Sequence, residues 1–143
     1  QNAVSIGVDY LFNYALKANK NFILDGTFAN YEVSRNNIEK TLKNRIFVSI
    51  FYIHQNPKTA WNFTQLRERG EGRNIPRDVF IVRFLEARKN VQLIKRDFGE
   101  KVSVHIVQHD YTKGSYKITQ NVDDIDSNIS EDYTKSKLEK ILS

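Results

Sequence analysis

The chain has 143 residues, of which 40% are hydrophobic and 27% are charged, and its formal net charge is +5 at pH 7. This length is typical of one domain with a substantial buried core, and the composition is that of a soluble globular protein. The absence of cysteine excludes disulfides, thiolate nucleophiles and cysteine zinc sites, and no apolar run reaches the length of a membrane span. We therefore expect a cytoplasmic protein with no membrane partner.

The first part of the chain alternates helical and strand patterns. Apolar residues recur at helical spacing over residues 4–16, and the short apolar segment 21–26 predicts a buried strand. A second helix is predicted over about 34–44, and the β-branched and aromatic segment 45–55 predicts a second strand. This order of elements is typical of parallel α/β architecture.

The next segment carries a helix start and a helix break. Asn56 and Pro57 are a cap and a first-turn proline for a helix that reaches Arg69. The glycine-rich stretch 69–76 then predicts a mobile elbow. The longest helix follows Pro76, and its apolar stripe predicts core residues at Phe80, Phe84, Ala87, Val91, Ile94 and Phe98.

The last part of the chain predicts a strand over 102–109 and a last strand or edge hairpin over 115–122. A closing helix is expected to begin at Ser130, with Glu131 and Asp132 in its first turn, and to end near Leu142. No repeat or linker divides the sequence. We therefore expect residues 1–143 to form a single α/β unit with a parallel sheet between flanking helices.

Three polar residues mark a candidate binding site. Asp25 and Thr27 follow the predicted strand 21–26, and ligands of open α/β sheets bind beyond the carboxyl ends of strands. Asp25 would orient a hydroxyl or a metal-bound water, Thr27 would bind a sugar or phosphate, and Asp9 would fix a polar group from the preceding helix. An ordinary turn followed by a helix cap explains Asp25 and Thr27 as well, and Asp9 is equally compatible with an exposed helix face.

Basic residues cluster around the predicted elbow, at Arg67, Arg69, Arg73 and Arg77. Guanidinium groups on a movable segment suit the binding of a phosphate that is being transferred. A solvated basic helix face is the alternative. A non-enzymatic nucleic-acid-binding domain is another, although the sequence has no zinc knuckle, helix-turn-helix signature or RNP-like aromatic pair.

Other common catalytic motifs are absent. His54, His105 and His109 lack the spacing of a helical metal site, so we predict structural or surface roles for them and no metal site. The sequence contains no G-x-S-x-G, no G-x-G-x-x-G and no G-x-x-x-x-G-K-[ST].

Several of these residues together resemble the zeta-toxin family of P-loop kinases over most of residues 4–110. The resemblance is carried by "LDGT" with Asp25 and Thr27, by Asp9, by Arg67, and by "GRNIP" with Arg73. It implies a P-loop NTPase-like fold, the cofactors ATP and Mg²⁺, and phosphorylation of a sugar nucleotide such as UDP-N-acetylglucosamine. It also implies an antitoxin protein as the partner of many members.

The resemblance assigns roles to individual residues. Asp9, Asp25 and Thr27 would face the sugar nucleotide, while Arg67 and Arg73 would act as catalytic residues that stabilise the γ-phosphate from a lid spanning about residues 66–77. In the family pattern the Walker A loop precedes the helix at which this chain begins. We therefore expect the carboxy-terminal part of such a kinase, incomplete at its N-terminal side, with no ATP or Mg²⁺ bound and no kinase activity of its own.

Three alternatives to this interpretation remain: another P-loop small-molecule kinase, a basic nucleic-acid-binding domain, and a folded remnant without a ligand. They differ in the partner that they predict. The first predicts a nucleoside, a sugar or another hydroxyl compound as the substrate, the second predicts nucleic acid, and the third predicts no ligand. An uncovered parallel strand at a sheet edge favours association. We therefore also expect a homodimer.

Overall fold

The computed structural model describes residues 3–72, 74–111 and 114–143. Within these ranges the helices are α1 (Ala3–Lys17), α2 (Tyr31–Lys43), α3 (Pro57–Glu71), α4 (Arg77–Phe98) and α5 (Lys135–Ile141). The strands are β1 (Val48–His54), β2 (Val102–Asp110) and β3 (Ser115–Thr119), and two short 3-10 helices span Gly99–Lys101 and Asp126–Asn128. The predicted α/β class is confirmed.

The described strands form one mixed sheet in the order β1-β2-β3. β1 and β2 are parallel, with Val48 opposite Val102, and α3 and α4 provide the long connection that parallel strands require. β3 runs antiparallel to β2, with Ile106 opposite Thr119, so the predicted edge hairpin is confirmed. The carboxyl ends of β1 and β2 therefore lie at the same end of the sheet, and we call this end the carboxyl edge.

One face of the sheet forms the main core. Inward-facing residues of β2 alternate along the strand and pack against α2, α4 and the segment 122–129. The buried members of this cluster are Ile38, Ile50, Val91, Ile94, Val102, Val104, Ile106, Val122, Ile125 and Ile129. The opposite face of the sheet exposes Phe51, Ile53 and Ile118.

The apolar stripe of α4 is core, as predicted, and it serves two clusters. Val91 and Ile94 are fully buried in the main core, and Phe98 packs against it. Phe80 and Phe84 instead pack against a second cluster, which consists of Ile81, Leu138 and Leu142. α4 is therefore the element that joins the sheet to the carboxy-terminal helix.

The predicted strand over 21–26 is wrong. This segment has no regular secondary structure, and Ile23 is 97% exposed. α1 ends at Lys17, Asn19 follows with a left-handed φ of 49°, and Phe22 packs edge-on against Phe12 at a centroid distance of 5.5 Å. A strand needs a neighbour for its backbone donors and acceptors, and no described strand pairs with this segment.

Two predicted boundaries also differ from the structure. α3 continues through Gly70 and ends at Gly72, whose φ of 67° closes the helix, so the break between helices starts later than residue 69. The closing helix begins after Thr134, not at Ser130. The carbonyls of Ile129 and Glu131 accept hydrogen bonds from the Arg88 side chain, which holds this segment in a non-helical conformation.

Candidate functional site

The carboxyl edge of the parallel pair is built by short connections. β1 ends at His54, and α3 starts almost at once because the Asn56 side chain accepts hydrogen bonds from the N–H groups of Lys58 and Thr59, at 3.0 and 3.3 Å. Pro57 occupies the first helical turn, which confirms the predicted cap and proline. Tyr111 directly follows β2 at the same edge. α3 and Tyr111 therefore frame one side of this edge.

A cleft of about 510 Å³ lies between α3 and Tyr111. Its lining residues are Phe63, Leu66, Arg67, Gly70, Glu71 and Tyr111, and we call it the Arg67 cleft. The ring of Tyr111 meets Phe63 edge-to-face at 4.9 Å and lies 3.8 Å from the ring of His109. These two contacts fix the aromatic wall of the cleft.

The lining of the Arg67 cleft includes two charged residues, Arg67 and Glu71. Among the described residues, no ion pair or hydrogen bond engages the side chain of Arg67, and the same holds for Glu71 one turn later. A guanidinium group presents paired hydrogen-bond donors to a phosphate or carboxylate. Arg67 is therefore available to an anionic ligand.

The other predicted elbow arginines have different surroundings. Arg69 is exposed, and Arg77 donates a hydrogen bond of 3.5 Å to the carbonyl of Leu142 near the carboxyl terminus. Glu68 accepts a hydrogen bond from Asn74, across the break between α3 and α4. Arg73 lies outside the described residues. Of the described elbow arginines, the structure therefore places Arg67 in the cleft.

Asp9, Asp25 and Thr27 lie on the amino-terminal part of the chain and are exposed. Asp9 is on α1, where its backbone carbonyl accepts a hydrogen bond from Asn13, and the hydroxyl of Thr27 accepts one from the N–H of Ala29 at 3.4 Å. Within the described ranges, no hydrogen bond or ion pair connects these three residues to the Arg67 cleft. None of the three belongs to or directly follows a described strand, and none is among the lining residues of the cleft.

A second cavity of about 600 Å³ separates α4 from the segment 126–133. Tyr52 and the buried His54 reach it from β1, and Arg88 reaches it from α4. Burial lowers the pKa of His54, against the opposing effect of Glu131 3.8 Å away, and burial raises the pKa of Tyr52 to about 12. Both side chains are therefore neutral at pH 7, and the predicted structural role of His54 agrees with this burial.

The sequence analysis identified Arg67 but none of the other side chains that line the cleft, among them Glu71 and Tyr111. Both residues could have been recognised from the sequence: Glu71 is four residues after Arg67, which puts the two side chains on the same helix face, and Tyr111 directly follows a predicted strand.

Among the described residues, no group of three or more His, Asp or Glu side chains is placed to hold a metal ion. No described helix is both long and apolar enough to cross a membrane.

Comparison with known proteins assigns the family. The family model of zeta toxin matches residues 1–121, which leaves only the segment that carries α5 and its preceding connection outside the match. No curated protein and no solved structure matches the chain significantly. The match includes the Arg67 cleft and the positions of Asp9, Asp25 and Thr27. The chain therefore belongs to the zeta-toxin family.

Proposed function

We propose that this chain forms the substrate wall and the arginine lid of a zeta-toxin kinase, an ATP-dependent enzyme that phosphorylates a sugar nucleotide such as UDP-N-acetylglucosamine. The observation that carries the proposal is the guanidinium of Arg67, which has no ion-pair or hydrogen-bond partner among the described residues and lines a cleft at the carboxyl edge of parallel strands. Ligands of α/β sheets bind at this edge. The family match covers the whole of this region.

The proposal includes a three-layer P-loop NTPase-like fold. Two features of the described sheet support it: β1 and β2 are parallel, and β1 is an edge strand whose outer side has no partner among the described residues. The exposed Phe51 and Ile53 on the outer sheet face fit the covering layer that such folds have. A homodimer and an antitoxin protein are further partners that belong to this proposal, as does a cytoplasmic location.

The chemistry of a sugar nucleotide matches the residues of the site. Besides the γ-phosphate, to which the family resemblance assigns Arg67 and Arg73, the diphosphate of the sugar nucleotide would itself bind the guanidinium of Arg67, with Arg73 as a second donor. Its planar base would pack on the rings of Phe63 and Tyr111. Its hydroxyl groups would bind Asp9, Asp25 and Thr27, whose side chains are exposed.

The residues present do not fit ATP and Mg²⁺. The sequence has no Walker A segment to surround a triphosphate with backbone N–H groups, and the described residues include no acidic cluster for a metal. We therefore assign no ATP or Mg²⁺ ligand here, and we propose that these 143 residues alone do not transfer phosphate.

A ligand titration tests the proposal without requiring catalysis. ¹⁵N-labelled protein is titrated with UDP-N-acetylglucosamine, and we expect saturable shifts of the amides of Leu66, Arg67 and Tyr111. Arg67→Ala should weaken binding by about tenfold or more, since a charge-assisted hydrogen bond to a phosphate is lost. Arg69→Ala is the matched control, because it removes an exposed arginine of the same helix outside the cleft.

Two results would contradict the proposal: no saturable shifts with UDP-N-acetylglucosamine, or equal affinities of the Arg67→Ala and Arg69→Ala variants. N-acetylglucosamine without the nucleotide is the ligand control. It lacks the diphosphate, so it should not shift the Arg67 amide at the same concentrations.

The structure gives less support to a nucleic-acid-binding domain. Three basic residues of α4 are engaged within the protein: Arg88 with Asp126, Lys89 with Glu86, and Lys95 with Asp123. These pairs interrupt the positive surface that non-specific binding to a phosphate backbone requires.

A further inference from the structure

We infer that Asn90 is a positioning residue that holds the loop carrying Asp25 and Thr27 in its binding conformation; this inference deepens the proposed function and rests on it. Asn90 is on α4 and only 2% exposed. Its side-chain N–H donates a hydrogen bond of 3.0 Å to the backbone carbonyl of Phe28, the residue directly after Thr27. This bond ties the exposed loop to the longest helix of the protein.

The loop needs such an anchor because its backbone is strained. Phe28 has a φ of 55°, in the left-handed region that bulky side chains rarely adopt. Strain of this kind persists only where surrounding contacts hold it, and it concentrates at functional sites. The Thr27 hydroxyl accepts a hydrogen bond from the N–H of Ala29, directly after the strained residue. The conformation of Phe28 therefore determines where the Thr27 hydroxyl lies.

Asparagine is well suited to this position. A leucine of similar size would leave the Phe28 carbonyl without its donor, and an ionised aspartate would place a negative charge against that carbonyl. Asn90 lies at helical spacing between Ala87 and Ile94, so it is a polar residue within the apolar stripe of α4. A buried polar side chain at such a position needs a specific partner, and the loop carbonyl provides it.

α4 anchors the end of this loop as well. The hydroxyl of Tyr31, at the start of α2, donates a hydrogen bond to the carboxylate of Asp97 on α4. The Asn30 side chain caps α2 by accepting a hydrogen bond of 3.1 Å from the N–H of Val33. The loop is therefore held at Phe28 and at Tyr31, while Asp25 and Gly26, which precede both anchors, remain exposed.

The test compares Asn90→Leu with Thr41→Val, a substitution at another buried polar residue. The Thr41 hydroxyl donates only to the carbonyl of Asn37 within α2, so its loss affects stability without touching the loop. For Asn90→Leu we expect a shifted Ala29 amide resonance with faster hydrogen exchange, and an affinity for UDP-N-acetylglucosamine about fivefold or more weaker. Thr41→Val should lower the melting temperature and leave both loop readouts unchanged.

Asn90→Asp provides a second readout that a purely structural role would not produce. Its carboxyl group donates a hydrogen bond only when protonated, so the native Ala29 resonance should return as the pH is lowered. This variant also keeps the test decisive if Asn90→Leu does not fold. A native Ala29 resonance in Asn90→Asp at all pH values, or an unchanged Ala29 amide and affinity in Asn90→Leu, would overturn the inference.

Failure of the proposed function gives a different pattern. If the unmodified protein does not bind UDP-N-acetylglucosamine, the proposed substrate is wrong, and the Ala29 resonance alone then decides whether Asn90 positions the loop.

Discussion

The guanidinium of Arg88 and the carboxylate of Asp126 lie 2.7 Å apart, but they are unequal partners. The Asp126 side chain is 61% exposed, whereas that of Arg88 is 20% exposed and also donates hydrogen bonds to the carbonyls of Ile129 and Glu131. Arg88 therefore fastens the segment 126–131 to α4, and the ion pair is only one of its contacts.

We expect Arg88→Met to be far more destabilising than Asp126→Asn. Arg88→Met keeps much of the side-chain volume but leaves two backbone carbonyls without donors, which should lower the free energy of unfolding by about 2–4 kcal/mol. Asp126→Asn removes only an exposed charge and should cost less than about 1 kcal/mol. Urea denaturation of the two variants measures both values. Equal losses would show that the ion pair itself holds the segment.

Acid should destabilise the protein partly through His54. Burial keeps the pKa of folded His54 below its usual value of 6.5, so the unfolded chain takes up this proton first as the pH falls. The contribution of His54 to stability is therefore retained above pH 6.5 and declines below it. The expected result is that unfolding free energies at pH 7.5 and pH 5 differ less in His54→Gln than in the unmodified protein. Equal pH dependences of the two proteins would contradict the prediction.

Glu71→Gln should strengthen the binding of an anionic ligand in the Arg67 cleft. Glu71 lines the same cleft and carries a charge that repels phosphate. Its neutralisation should raise the affinity for UDP-N-acetylglucosamine about two- to fivefold at low salt, with a smaller effect at high salt. Isothermal titration at two ionic strengths provides the measurement. Glu68→Gln, one turn away and outside the lining of the cleft, is the control, and an equal effect of both substitutions would argue against binding beside Arg67.

Leu138→Ala should release the carboxy-terminal helix. Leu138 is fully buried in the second cluster, between Ile81 and Leu142, and α5 has few other apolar anchors. Loss of this side chain should cost about 2–5 kcal/mol. Compared with the unmodified protein, the variant should show a larger increase in the hydrogen-exchange rate of α5 than of β2. A uniform increase over the whole chain would contradict local release.

The elements that local residues specify were predictable from the sequence. Asn56 and Pro57 marked the start of α3 because a cap satisfies free backbone N–H groups within one turn. The stripe of α4 was recognisable as core because periodicity alone identifies a buried helix face. In contrast, the segment 21–26 has the composition of a strand, but strand formation depends on a neighbour that composition does not reveal.

The candidate site was harder to predict than the helices. Arg67 was identified together with its elbow, but Asp25 and Thr27 were placed at a strand end that the structure does not contain. Ser130 and Thr134 are both acceptable helix caps, and the choice between them depends on Arg88, which is distant in sequence and holds the carbonyls on either side of Ser130. The role of Asn90 could not be predicted from the sequence because its hydrogen-bond partner is a backbone carbonyl, which no residue type identifies.

The parallel pairing of β1 and β2 has a consequence for the order in which the chain folds. Val48 meets Val102 only after the whole α3–α4 connection has been brought together, whereas Ile106 and Thr119 are close to each other along the chain. Closing the longer loop costs more chain entropy and must be compensated by packing that already exists. The β2–β3 hairpin and α4 should therefore organise first and serve as the template on which β1 docks last, together with the edge that carries the Arg67 cleft.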